Sequence, residues 1–321
     1  MVSITPTIST PISLIEFYKN LAEKDPTRTM VENMVETSDL LAATPTLPAQ
    51  YGKRAFMDIG ALPAVGFRGF NEAGNQLTGA FNLREEDTFP IDEYILVDRA
   101  MIDRIGPDHK YRQEKLKSIA LAQYISQNIV KGDNSSNPRT PNGMQVRCNT
   151  VGINLIHNSA AAGGAALSLG NLDQLYWLVN KPTHWIFPRS LMAFVDIAAR
   201  NSTLTGNQFT ADTDNIGRKV RRYKDLPILF GYEPDDSPDL LPFTEVGSGG
   251  GGAVTSSIYC ASLRDGGFYI IEQTPMSVMA EGTVPGAPFD STHIKWDLGF
   301  AKEHPRAVAR LTSLTAATIV A

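Results

Sequence analysis

The segment PDHKYRQEKLKSIALAQYISQNIVKG (107–132) restricts the fold more than any other part of the 321-residue chain. Pro107 suits the first position of a helix, Asp108 complements its positive dipole end, and Lys131 with Gly132 makes a C-terminal signal. The spacing therefore predicts one helix over 107–131, and about 25 residues at ~1.5 Å each make a rod of roughly 37 Å. Its first half, DHKYRQEKLK, is charged, whereas IALAQYISQNIV is apolar with small and amide side chains almost all round. That gradient predicts a helix that starts at the surface and runs beneath other elements.

Just upstream, AFNLREEDTFPIDEYILVD (80–98) reads as an acidic tip (Arg84, Glu85, Glu86, Asp87) followed by a strand from Phe89 to Val97. LPAVGFRGFNEAG (62–74) reads as its antiparallel partner, giving a ribbon over about Leu62–Asp98 that folds near NEAGNQ (71–76). One face of Ile91–Asp98 would carry Ile91, Glu93, Ile95 and Val97, the other Asp92, Tyr94, Leu96 and Asp98. Both are mixed, whereas a ribbon covered by its own core should alternate cleanly. Isolated hairpins are marginal in water, so this one needs an outside partner, most economically another subunit.

The first dozen residues read as an extended arm. Ser13 and Glu16 form a capping box for a helix with Leu14, Phe17, Tyr18 and Leu21 on one face. Asp25-Pro26 opens a second helix with Met30, Val31, Met34 and Val35 inward, ending by Pro45 before a polar link through Tyr51. A loop, GDNSSNPRTPNG (132–143), follows the rod, and the composition changes near Gly163. Helices are expected over 171–180 and 188–201, and strands at HWIF (184–187) and LPILFGYE (226–233). TLTGNQFTADTDN (203–215), PDDSPD (234–239) and GSGGGGA (247–253) read as loops. SSIYCASL (256–263) and GFYIIEQ (267–273) flank Arg264-Asp265-Gly266 as a hairpin signal. SVMAEGT, a Pro-Gly turn, HIKWDLGF (293–300) and ARLTSL complete the chain.

Hydrophobic residues at 42% and charged residues at 20% are an ordinary globular balance, and the net charge of −5 opposes tight phosphate binding by the whole protein. The basic run RKVRRYK (218–224) reads as a solvated face or an interface before a nucleic-acid site. Cys148 and Cys260 stand far apart without metal-ligand neighbours and read as buried reduced thiols. The N-terminus lacks the pattern of a signal peptide, and no run approaches the ~20 apolar residues of a membrane span, so a soluble protein made in the cytoplasm is expected. His109, His157, His184, His293 and His304 lack metal-ligand spacing. GSGGGGA lacks the Gly-Lys-Ser/Thr ending of a phosphate loop and reads as a flexible loop. No GxSxG elbow occurs. Asp235, Asp236 and Asp239 fit no calcium-loop spacing and read as a solvated turn. The sequons at Asn134 and Asn201 carry no meaning without secretion. No catalytic, cofactor-binding or metal-ligating residue is singled out, and no cofactor is expected.

Several segments, in order, resemble the major capsid proteins of tailed bacteriophages, with the Hong Kong 97 (HK97-type) shell fold. MVETSDLLAATP (34–45) resembles that family's short helix and turn, LPAVGFRGFNEAG the ascending strand of its extended loop, and IDEYILVDRAMID (91–103) the return strand. YRQEKLKSIALAQYISQNIVKGD (111–133) resembles its spine helix. PNGMQVRCN (141–149) resembles its exit segment, with Asn142-Gly143-Met144 in place of the usual Phe and Leu. YKDLPIL (223–229) and HIKWDLGFAKEHPRAVARL (293–311) resemble later strands.

The resemblance implies an α+β HK97-like capsid fold. Its parts would be an N-terminal arm with short helices (1–57), an extended loop (58–100), a peripheral domain with the spine helix (101–162), an axial domain (163–272), and return strands with a C-terminal segment (273–321). It also implies a structural protein and not an enzyme. Pentamers and hexamers of the chain would close into an icosahedral head around double-stranded DNA, in a virion assembled in the host cytoplasm. The partners implied are the chain itself, a portal protein, a separate scaffolding protein, a cement or decoration protein, and packaged DNA by non-specific contact, without a membrane. Two alternatives stay open. One is an encapsulin-type bacterial shell protein; the other is a cytoplasmic α/β enzyme, which would need a pocket with converging polar groups.

Overall fold

The computed structural model describes residues 14, 25–73, 78–200, 208–213, 219–232 and 239–320. Apart from Leu14, which is helical and buried, the expected arm and first helix lie outside these residues. Asp25 caps α1 (Pro26–Thr37) by accepting from the Thr27 N–H at 2.8 Å, and Ser38 caps α2 (Asp39–Ala43) through Leu41 N–H at 3.1 Å. Asp98 caps α3 (Arg99–Ile105), and Gly106, at φ 104°, ends it as only a glycine does readily. The rod follows as α4 (Asp108–Lys131), and its buried residues run from Ser118 to Val130, in the half that the charge gradient assigned to the interior.

A four-stranded sheet lies over the rod, in the order β1 (Thr46–Pro48), β12 (Phe268–Thr283), β13 (Phe289–Lys302), β4 (Phe89–Asp98). The link expected before Tyr51 thus contains a strand, β1, parallel to β12. Ile95, Val97, Ile294, Trp296 and Phe300 on the inner face pack with Met30 and Met34 of α1 and Leu121, Ile125 and Ile129 of α4. Two expectations for 89–98 are corrected here. Its partner is β13, with Tyr94 opposite His293, and not 62–74. Its Ile95/Val97 face is buried in the chain's own core. Glu93, which made that face look mixed, is bound at 2.7 Å by Lys117 of α4, so the charge serves the helix–sheet contact.

The second sheet runs β5 (Leu155–His157), β14 (Val308–Leu314), β11 (Ala253–Ala261), β6 (His184–Ile186), β9 (Leu226–Leu229), β8 (Lys219–Tyr223), β7 (Phe209–Thr213), with β10 (Glu245–Val246) on β11. A short α5 (Met144–Arg147) precedes it in the chain. α6 (Leu169–Leu178) and α7 (Met192–Ala199) bury Leu172, Leu175 and Val195 with Trp185, Tyr223 and Ile258 of the sheet. The chain beyond residue 273 divides between the sheets, with β13 in the first and β14 in the second.

The hairpin expected around Arg264-Asp265-Gly266 is corrected as well. The turn exists, with Gly266 at φ 72° and the Phe268 N–H donating to the Ser262 carbonyl at 2.9 Å, but β11 and β12 enter different sheets. It is a corner between layers. The loop 247–253 is not free either. The Gly163 N–H donates to the Gly250 carbonyl at 2.9 Å, and a Cβ on Gly249 would lie 2.2 Å from the Ala160 carbonyl oxygen. A polar seam joins the two halves. Asp39 accepts from the Phe230 and Gly231 N–H groups at 2.8 and 2.7 Å, while Ser38 Oγ reaches Ser126 Oγ at 2.7 Å and donates to the Gly231 carbonyl at 2.5 Å. Burial raises the Asp39 pKa, against those backbone donors.

His184 on β6 is sheltered, its Nδ1 2.9 Å from Thr183 Oγ1, and burial holds its pKa at about 4. A histidine in the unfolded chain titrates near ~6.5, so on acidification the unfolded state takes up this proton first. The neutral side chain costs nothing above that pH; stability falls as pH drops from about 6.5 to about 4 and levels off below. His184→Gln should remove this part of the acid slope, measured as urea midpoints of both proteins at neutral and acid pH. Equal slopes would show that His184 does not fold in its neutral form.

Candidate assembly surface

β2 (Lys53–Ala61) and β3 (Ala80–Asp87) pair with each other alone, from Lys53 opposite Asp87 to Ala61 opposite Ala80. The ribbon therefore lies upstream of its expected place. Residues 62–70, expected as a strand, carry no ladder and lead away from the ribbon's far end, where Pro63, Gly66 and Gly69 interrupt strand pairing. Arg84–Asp87, expected at the tip, are at the root.

Three contacts fix that root to the body. Arg147, its side chain 10% exposed, binds Glu86, 22% exposed, in a two-pronged pair, with Nη2 to Oε2 at 2.8 Å. The same guanidinium donates to the Phe300 carbonyl at 2.8 Å and the Asn142 carbonyl at 3.0 Å. Phe56 packs on Tyr269, Ile271 and Ala301, on the outer face of the first sheet, and Arg54 donates to the Tyr269 hydroxyl at 3.1 Å. Finally, the main chain of Asp87 crosses β13 at Gly299, where a Cβ would lie 2.3 Å from the Asp87 carbonyl oxygen.

Beyond the root the ribbon stands clear. Met57, Leu62, Val65, Phe70, Phe81 and Leu83 are exposed, as is Phe67, and the two phenylalanines of the far end are fully so. Each large apolar side chain contributes about 1.5–3 kcal/mol when covered. A contiguous apolar surface of this kind marks an interaction site. The outside partner inferred for the ribbon is thus required by the structure, at 53–87 and not at 89–98.

The other residues singled out in the sequence do not converge. Cys148 and Cys260 are buried free thiols, and burial pushes the Cys148 pKa up to about 12, away from reactivity. Within the basic run, Arg221 pairs with Asp196 at 2.7 Å and Lys224 with Asp173 at 2.8 Å, so its charges are used inside the chain. Asp239 accepts from Ser190 Oγ at 2.9 Å; Asp235, Asp236 and Asn201 lie outside the described residues. The Asn134 amide donates to the Thr140 carbonyl at 3.1 Å. His157 meets Thr312, and His293 meets Asp92 at 2.8 Å. Among the described residues no group of three His, Cys, Asp or Glu could hold a metal, and no helix is long and apolar enough to cross a membrane. Sequence reading missed Arg147; its only signal is a lone cation between Val146 and Cys148.

No protein-family model and no curated protein matches the chain. Solved structures do. The holo-SrpI encapsulin complex of Synechococcus elongatus PCC 7942 matches over 94% of this chain and 95% of that one, at a TM-score of 0.61 and 16% identity. The capsid of an empty GTA particle matches over 88% and 97%, at 0.59 and 12%. A structure of Gordonia phage Cozz matches over 89% and 87%, at 0.55 and 13%. At these identities the likeness is one of fold, and the fold is that of shell subunits. It is the α+β HK97-type capsid fold, as the resemblance implied.

Glu86→Gln leaves the Arg147 charge in a nearly closed site, a loss on the order of 3 kcal/mol for such pairs. Amide exchange should quicken at 53–57 and 82–87 and remain as it was in α4; an unchanged pattern would remove the pair's anchoring role. Gly299→Ala should lower stability by about 1–3 kcal/mol through overpacking under Asp87, read by thermal unfolding.

Proposed function

We propose that the chain is the major capsid protein of a tailed phage, assembling as pentamers and hexamers into an icosahedral head that encloses double-stranded DNA. The observation that carries this is the apolar ribbon standing off an HK97-type body: a fold shared with capsids, holding out a surface that needs a second molecule. Closed shells require heterologous contacts whose rotations close, and a projecting ribbon supplies one from each copy to the next. The role is structural. The division into arm, loop, peripheral and axial parts belongs to this reading, with β14 counted in the axial sheet where it pairs. So do the portal, a separate scaffolding protein, a cement protein and the virion as location. The net charge of −5 suits a wall that contacts packaged DNA without binding it tightly.

An encapsulin-type shell storing a protein cargo is the second reading, favoured by the match to the SrpI complex over nearly the full length of both chains. Electron microscopy and nucleic-acid extraction of purified particles separate the two: DNA of uniform length supports the phage, and a co-purifying enzyme supports the encapsulin. Replacing 62–79 with a short Gly-Ser turn should leave the body folded and abolish closed particles. Light scattering should then find only subunits or small oligomers. Shells of normal size from that variant would defeat the ribbon's role in assembly.

A further inference from the structure

The first sheet has an outer face, and the chain's own ribbon covers only one end of it. Phe56 and Asp87 lie over Tyr269, Ile271, Gly299 and Ala301. The other end is bare. Tyr94, His293 and Met279 stand in register across β4, β13 and β12, and Leu96 lies two residues further along β4. Tyr94 is 54% exposed, Leu96 55% and Met279 55%, whereas Ile95 and Thr292, on the opposite face, are buried. This apolar step is rigid. The Tyr94 and His293 rings stack with centroids 4.4 Å apart at 6°, and His293 is held by Asp92 at 2.8 Å and Glu281 at 3.5 Å. Two carboxylates therefore border the apolar residues, with Lys295 opposite Asp92.

We infer that this bare end of the first sheet is the seat for the ribbon of a second copy of the chain, a step that rests on the assembly reading above. The occupant follows from the match. LPAVGFRGF (62–70) is the fully exposed apolar segment of the chain, and its only charged residue is Arg68. The seat offers apolar area edged by Asp92 and Glu281. A chain cannot seat its own ribbon there. β3 runs into β4 through the single residue Thr88, so the ribbon leaves over Gly299, at the opposite end of the sheet from Leu96 and Met279. The receiving face also continues the surface on which each copy's own ribbon root already packs. Arriving ribbons would lengthen an existing contact.

Leu96→Glu tests the seat. The residue is exposed, so its unfolding midpoint should stay at the wild-type value, while the protein concentration needed for assembly should rise about tenfold or more, as for a central interface position. Arg68→Lys, which keeps the charge, should allow a carbodiimide to join Lys at 68 to Asp92 or Glu281 of another chain in assembled particles, located by mass spectrometry of the digest. Normal assembly of Leu96→Glu, or inter-chain links from 68 only to other carboxylates, would overturn the seat. Phe67→Glu separates the two levels. If it assembles normally, the assembly role of the ribbon fails and the seat with it; if it is defective while Leu96→Glu is normal, the seat alone fails.

Discussion

Arg147 and Glu86 hold each other in a site nearly closed to water, and the protein's outward reach depends on that pair. A buried ion pair is weak evidence of stability, because desolvation of both charges offsets most of their attraction. What it supplies is direction. The guanidinium fork fits one carboxylate geometry, and its remaining N–H groups are taken by the Phe300 and Asn142 carbonyls, so it cannot rotate to follow a displaced partner. Gly299 adds the steric half of the constraint, since the Asp87 main chain approaches closer than any side chain permits. Together they set the angle at which two strands without a core of their own leave the body.

That angle matters because the rest of the molecule is self-sufficient. The rod and α1 fill the inner face of the first sheet, α6 and α7 cover the second, and the Ser38–Asp39 seam locks the halves together. Incompleteness is confined to the ribbon and to the outer face of the first sheet. A subunit built so can fold before it meets its neighbours and still be unable to bury all its apolar surface alone. Association is then driven by a non-directional term, the covering of phenylalanine, leucine and valine, while orientation is imposed at the root.

The rod was legible in the sequence because its evidence is local: Pro107, Gly132 and a charge gradient act within one segment. So were the caps at Asp25 and most strands of the second sheet. Pairing was not. The segment 89–98 announces a strand, but its partner lies some two hundred residues away, and an alternating pattern does not name the strand opposite. Glu93 misled for a physical reason, since a carboxylate on an inward face looks like a defect until Lys117 of the rod is seen beside it. Arg264-Asp265-Gly266 gave a true turn and a false hairpin, because the turn chemistry fixes how the chain reverses and not which sheet the second strand joins. The need for an outside partner was read correctly from the wrong segment. Its source, the phenylalanines at 67 and 70, lay in a stretch whose glycines and proline argue against the strand it was taken for.

The division of labour along the ribbon explains why an apolar end alone would not make a shell subunit. Hydrophobic burial tolerates many orientations at similar free energy, and a freely swinging ribbon would join copies at varying angles. Open, irregular aggregates would follow, because heterologous contacts close only when every copy repeats one rotation. The polar, sterically tight root removes that freedom before any neighbour arrives. It also lowers the entropy lost on association, since the ribbon is already held in one direction when it meets its seat. The apolar end can then contribute affinity without having to supply geometry. A charged pair buried at the base and phenylalanines bare at the tip are thus two parts of one requirement, that each copy reach its neighbour at a fixed angle.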